Sequence, residues 1–264
     1  MMIQGRLALV TGASSGIGEA TAKVIARKGG RVVLVARSAS DLEKVARQII
    51  ETGGKAEFIA CDLSQPAAVA ELAAKVVGEI GVPDILVNNA GAGRWLKIEE
   101  TAAAELEQMM ALPYFAAFNL TRELLPHMRK RGSGHIVNVT SVAARLVWPG
   151  AAGYAAARAA MVAFSKALET ETRGSGINVT LAMFGKVASS FWQHNPGSED
   201  RLPKVNAYLP TLTTQEAAEA LVRALERNRA MIVLPKLFRF LFFLNAVTPK
   251  TTGRVLRSGW KNTA

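Results

Sequence analysis

The stretch GYAAARAAM, residues 153–161, sets a phenol, Tyr154, four residues ahead of a guanidinium, Arg158. If the segment is helical, the two side chains share a face. The pairing then has two readings: an accident of an alanine-rich helix, or a proton donor with a cation beside it. The second has chemical weight. A free phenol ionises at roughly pH 10, too high for ready proton exchange at neutral pH. A positive charge about 4 Å away, at an effective dielectric of about 20, favours the phenolate by about 4 kcal/mol before desolvation is subtracted. Lysine and arginine supply that Coulomb term alike. They differ otherwise, because an ammonium can lose a proton whereas guanidinium is a planar fork that stays charged.

Residues that do chemistry must be held by a frame, and the frame is readable. Seven short β-branched runs, RLALVTG, RVVLVAR, AEFIACD, DILVNNAG, GHIVNVTS, INVTLAM and AMIVLP, alternate with amphipathic stretches such as DLEKVARQIIETG. That alternation predicts a parallel sheet covered by helices on both faces, an α/β fold of three layers. Ligands of such sheets bind beyond the carboxyl ends of the strands. After the first strand comes TGASSGIG, with Gly12, Gly16 and Gly18 leading into a helix. Glycines let the backbone approach a pyrophosphate, and the helix N-terminus offers unpaired N–H groups, so the placement predicts dinucleotide binding. The second strand ends in Ala36 and Arg37 where a carboxylate would favour NAD. Arginine there suits a 2′-phosphate, so NADP is expected; a solvated surface arginine is the alternative. Asp62, after the third strand, either contacts adenine or caps a turn.

Composition sets limits on this reading. Hydrophobic residues make up 50% of the 264 and charged residues 20%, which fits one ordinary globular chain. A single cysteine, Cys61, excludes an internal disulfide and fits a reducing, cytoplasmic setting. No secretory signal is expected ahead of the first strand. His127, His135 and His194 lack ligand spacing, so no metal site is expected. The formal net charge is +11, and from Arg223 onward nine basic residues against Glu226 alone contribute +8 of it. No nucleic-acid reading motif accompanies that charge, so nucleic acid is not an expected partner.

TGASSGIG, Asp62 with Leu63, NNAG at 88–91, and Ser141 followed by Tyr154 together resemble the short-chain dehydrogenase/reductase family. The likeness runs in order from Leu7 to about Pro235. It implies a Rossmann-type, doubly wound sheet of seven parallel strands, with hydride transfer between a nicotinamide and a carbonyl or alcohol. Carried over by position, Gly12, Ser14, Ser15, Gly16, Ile17, Gly18, Arg37, Asp62, Leu63, Asn89, Ala90, Gly91, Gly185 and Val187 would lie along NADP(H), joined by Tyr154 and Arg158. Ser141 would hydrogen-bond the substrate oxygen and Tyr154 would give or take its proton. Their separation of 13 residues matches the family.

Three positions depart from it. The family has lysine where this chain has Arg158, asparagine where MMALPYFAAFNLTRELLP places Pro113, and proline where Phe184 precedes Gly185. The lysine and asparagine belong to a proton relay, so Arg158 is expected to keep the charge and the ribose contact without relaying protons. Pro113 should kink its helix and free the Met109 carbonyl. Two functions follow: a reductase with a shortened relay, or an NADP-binding protein with degraded turnover and a regulatory or interaction role.

Trp95, Trp148, Phe184, Phe191 and Trp192 fall in segments flanking the expected nicotinamide end, so the pocket reads as apolar and the substrate as a small apolar carbonyl or alcohol. QMMALPYFAAF and YAAARAAMVAF are apolar on most faces, which suggests a homo-oligomer, dimer or tetramer. The chain divides into a single nucleotide-binding domain, 1–235, and a basic, apolar extension, 236–264. The segment 235–249 contains Arg239 and is too short to cross a bilayer; it is expected to cover the pocket, meet a neighbouring subunit, or lie on a membrane surface.

Overall fold

In the computed structural model, which describes residues 1–202 and 207–257, each of the seven apolar runs is a strand of one sheet. They are β1 (Leu7–Thr11), β2 (Arg31–Ala36), β3 (Lys55–Ala60), β4 (Ile85–Asn88), β5 (Gly134–Ser141), β6 (Ile177–Phe184) and β9 (Met231–Leu234). All pair in parallel, in the order β3-β2-β1-β4-β5-β6-β9. The period-two alternation of β1 decides the layers. Ala8 and Val10 point to a core shared with Val24 and Ile25 of α1 (Gly16–Arg27) and with Leu221 and Val222 of α8 (Thr214–Glu226). Leu7 and Leu9 point the other way, to Val69 and Leu72 of α3 (Pro66–Lys75) and to Leu120 and Leu124 of α5 (Ala116–Arg131). Every residue of β1 is buried, which is why no polar residue interrupts its first four positions.

The edge strand β3 is a variation on the expected pattern, since most of its residues are exposed. It carries charge instead, with Glu57 taking an ion pair from Arg31 at 3.2 Å. A charged edge discourages pairing with another chain. A short pair, β7 (Val187–Ala188) with β8 (Leu212–Thr213), lies outside the large sheet and has no counterpart among the apolar runs.

The chain moves outward from β1 to β3 and then returns to β4 on the other side of β1, which leaves a crevice at the carboxyl ends of β1 and β4. That crevice is stitched by Thr11, whose hydroxyl donates to the Val87 carbonyl at 3.1 Å and accepts from the N–H groups of Asn89 and Ala90, each at 3.0 Å. Asn89 answers with its amide nitrogen, donated to the Thr11 carbonyl at 3.0 Å.

Between α4 (Ala103–Met110) and α5, the expected kink at Pro113 takes the form of a π-helical turn over Ala111–Phe115. Proline has no N–H to give, so the ladder widens there, with Ala111 donating to Glu107 and Ala116 to Ala111. Past β9 the chain forms two further helices, α9 (Leu237–Val247) and α10 (Pro249–Arg257). Residues 258–264 of the expected extension, with Lys261, lie outside the described residues. Among the described residues no helix is long and apolar enough to cross a membrane.

Candidate active site

One cavity of about 850 Å³ runs along the carboxyl edge of the sheet. At one end its wall is the loop between β1 and α1. Gly12 has φ +63° and a Cβ there would stand 2.9 Å from the Ala90 Cα, so the turn needs glycine. Gly18 is off the wall; a Cβ on it would meet the Gly12 carbonyl oxygen at 2.1 Å, and its role is to let α1 close on that loop. Ser15 caps α1 without a side-chain hydrogen bond, so the first-turn N–H groups receive no partner from it. An open glycine cradle with uncapped N–H groups suits the pyrophosphate of a dinucleotide.

Ser14, Ser15, Gly16, Ile17, Leu63, Asn89, Ala90, Gly91, Gly185 and Val187, expected along the cofactor, all border this cavity. Arg37 also lies on the wall, exposed, at the end of β2. Beside it Asp41 accepts from the Ser38 hydroxyl at 2.7 Å and pairs with Lys44 at 3.1 Å. Asp62 stands apart from the wall: its carboxylate takes the Ser64 hydroxyl and N–H at 2.8 and 3.0 Å, and these bonds, aided by the charge of Arg37, hold it below the ordinary carboxylate range.

Farther along are the groups expected to do proton chemistry. Ser141 closes β5, and Tyr154 and Arg158 sit near the start of α6 (Ala152–Glu171). The two elements are bolted together twice. Thr140 Oγ1 donates to the Arg158 carbonyl at 3.0 Å, and Asn138 Nδ2 donates to Ser165 Oγ at 2.9 Å. Asn138 is held in turn by Asn88 Nδ2 on β4, at 2.8 Å. These bonds fix Ser141 relative to Tyr154, and all three candidate residues border the same cavity. The Ser141 oxygen accepts from Ala143 N–H at 3.2 Å, which leaves its hydroxyl proton free to donate outward.

Arg158 is 6% exposed. Its guanidinium carbon lies 5.0 Å from the Tyr154 ring centroid, and Gly91 makes room for it, since a Cβ there would stand 2.6 Å from Nη2. No carboxylate pairs with Arg158 among the described residues, and its Nε has no acceptor. The guanidinium is thus a buried cation set beside the phenol ring.

The far end is aromatic. Trp95 packs against Trp148, Tyr154 and Trp192, with centroid separations of 5.1, 5.7 and 5.7 Å, and Phe191 reaches Tyr154 at 6.1 Å. With Phe184, all five expected aromatic residues face the cavity. The indole N–H groups of Trp95, Trp148 and Trp192 are buried without an acceptor. Sequence inspection missed the residues that hold this end together. Asn195 accepts from the Gly93 N–H at 3.1 Å and Ser198 accepts from the Trp95 N–H at 3.0 Å, bonds spanning 102 and 103 residues that no local pattern announces. Phe238 and Leu241 of α9, within the segment expected to cover the pocket, and Leu256 of α10 roof the cavity.

The chain is similar to known proteins in sequence and in fold. A fatty acyl-CoA reductase of Acinetobacter baylyi is 33% identical over 260 residues, covering 98% of this chain and 85% of that protein. A short-chain dehydrogenase of Sphingobium yanoikuyae solved with NADPH has a TM-score of 0.80 at 27% identity, covering 98% of both chains. A short-chain dehydrogenase/reductase of Burkholderia phymatum solved with NAD shares the fold, with a TM-score of 0.85 at 22% identity and coverage of 95% of this chain and 96% of that one. Residues 6–200 match the family model described as short chain dehydrogenase. By its sheet, its glycine loop and this match, the chain belongs to the short-chain dehydrogenase/reductase family of nucleotide-binding oxidoreductases.

Proposed function

We propose that this protein is an NADP(H)-dependent reductase of long-chain, apolar aldehydes or ketones. One observation carries the proposal: Ser141, Tyr154 and Arg158 share a single cavity with the glycine loop at one end and an aromatic chamber at the other. Arg37 in place of a carboxylate at the end of β2 supports NADP over NAD. The chamber of Trp95, Trp148, Phe191 and Trp192 supports an apolar chain, as does the resemblance to a protein named for fatty acyl reduction. Three buried indole N–H groups without acceptors support a ligand that also carries oxygen.

A reduced nicotinamide, when bound, supplies the hydride that the carbonyl carbon gains. Ser141 Oγ donates a hydrogen bond to the carbonyl oxygen and orients it. Tyr154 Oη transfers its proton to that oxygen, which becomes the alcohol hydroxyl. Arg158 stabilises the phenolate left behind. The phenol regains its proton from solvent rather than through Arg158, because guanidinium does not deprotonate in proteins. Pro113 removes the asparagine amide of the family's relay, and the aromatic walls keep water away from the reacting carbon.

The test uses purified full-length protein with NADPH, a series of short- and long-chain aldehydes and ketones, and a Tyr154→Phe control. The expected result is oxidation of NADPH that rises with chain length and falls to background in the control. Binding of NADPH with no oxidation above that control across the series would leave a nucleotide-binding protein without turnover.

A further inference from the structure

The roof of the cavity has an outer face that the chemistry beneath it does not use. On α9, Phe238, Leu241 and Phe242 turn inward to the aromatic core. Leu237, Phe240, Phe243 and Val247 turn to solvent, with Phe240 and Phe243 at 57% and 63% exposure. Two exposed phenylalanines a turn apart on an eleven-residue helix form an apolar stripe rather than scattered surface carbons. Basic residues surround the stripe: Lys236 and Arg239 on α9 and its cap, and Lys250, Arg254 and Arg257 on α10, all exposed. None forms an ion pair among the described residues, and no Asp or Glu occurs in the sequence after Glu226.

From this juxtaposition of an exposed aromatic stripe and unpaired basic residues we infer that the outer face of α9 and α10 docks on an anionic lipid bilayer. The charges decide the occupant. A second copy of this chain would bring the same basic residues against themselves, whereas anionic headgroups neutralise them and accept the phenylalanines at the acyl boundary. The long basic side chains can lie beside the stripe with their charges at headgroup level. The inner residues of the same helices wall the cavity, and Val255 of α10 lies both on that wall and at the exposed surface. Docking would therefore set the aromatic end of the cavity against the lipid. Delivery of substrate from the bilayer rests on the reductase reading above; the docking itself does not.

Co-sedimentation of the full chain tests it without turnover, using vesicles of phosphatidylcholine alone and of phosphatidylcholine with one quarter phosphatidylglycerol. We expect binding to the anionic vesicles only, weakened by added salt. Each basic residue at the surface contributes roughly fivefold to partitioning, so Arg239→Ser with Arg254→Ser should cost roughly twentyfold or more. Phe240→Ser with Phe243→Ser should lower binding at least about tenfold while the thermal unfolding midpoint stays within a few degrees of wild type. Equal binding of the wild type and both double variants, or no binding to anionic vesicles by wild type, would overturn the inference. So would dissociation of an oligomer by the phenylalanine variant, since a second copy would then cover the face.

Discussion

The substitution of arginine for a proton-labile cation is best tested by removing its charge while keeping its bulk. Arg158→Met retains an unbranched side chain of similar reach in a site that is 6% exposed. The guanidinium carbon is 5.0 Å from the Tyr154 ring centroid, and a charge pair at that separation with an effective dielectric of about 20 is worth about 3 kcal/mol. Losing that term from the transition state slows proton transfer roughly a hundredfold. Stability should move the other way. Arg158 has no carboxylate partner among the described residues and its Nε lacks an acceptor, so the native fold carries a desolvated, uncompensated cation. The methionine variant is therefore expected to melt at the same temperature as wild type or higher, with kcat down roughly a hundredfold. Arg158→Lys, which keeps the charge, should stay within about tenfold of wild type in kcat. NADPH oxidation rates and thermal unfolding on the same preparations supply the measurements. A methionine variant that is destabilised yet retains most of its activity would refute the reasoning and make Arg158 a packing residue.

Gly12→Ala should weaken NADPH binding at least about tenfold in titration calorimetry, because the site has φ +63° and the added methyl meets the Ala90 Cα. Arg37→Glu should shift the ratio of NADPH to NADH affinity by roughly a hundredfold toward NADH, since a charge-assisted bond to the 2′-phosphate becomes a repulsion. His135 on β5 is fully buried with Nε2 at 2.8 Å from Thr180 Oγ1, and burial lowers its pKa from 6.5 to about 4. The unfolded chain then binds the extra proton between those values, so stability present at pH 7 is lost as pH falls; urea unfolding at about pH 4.5 should show wild type losing roughly 2 kcal/mol more than His135→Asn. Leu106, Phe115 and Phe118 are exposed, and the Tyr114 ring meets those of Phe115 and Phe118 in tilted and edge-on contacts. We expect a homo-oligomer through this surface, with Phe118→Glu shifting the mass toward monomer in light scattering.

The seven strands, their order of appearance and the ligand edge were legible in the sequence because each is a local signal: a β-branched run of strand length followed by glycine, serine or asparagine. The break at Pro113 was legible too, since a missing N–H is a property of the residue. Its form was not, because whether a helix bends or widens into a π turn depends on what packs against it. The exposure of β3 was equally hidden, as position in a sheet is set by the order of pairing and not by the strand's own residues.

For the site the division is the same. The sequence by itself determined which chemical groups this protein has and that they follow strands: the glycine loop, Arg37, Ser141 and Tyr154 with a cation four residues on. Only the tertiary structure decided that Gly91 leaves space for the Arg158 guanidinium, that Asn195 and Ser198 bond to the backbone of Gly93 and Trp95, and that α9 and α10 roof the cavity while presenting phenylalanine outward. Those contacts join residues far apart in the chain. A side chain's type fixes what it can bond or bury, and folding alone decides which distant partner it meets.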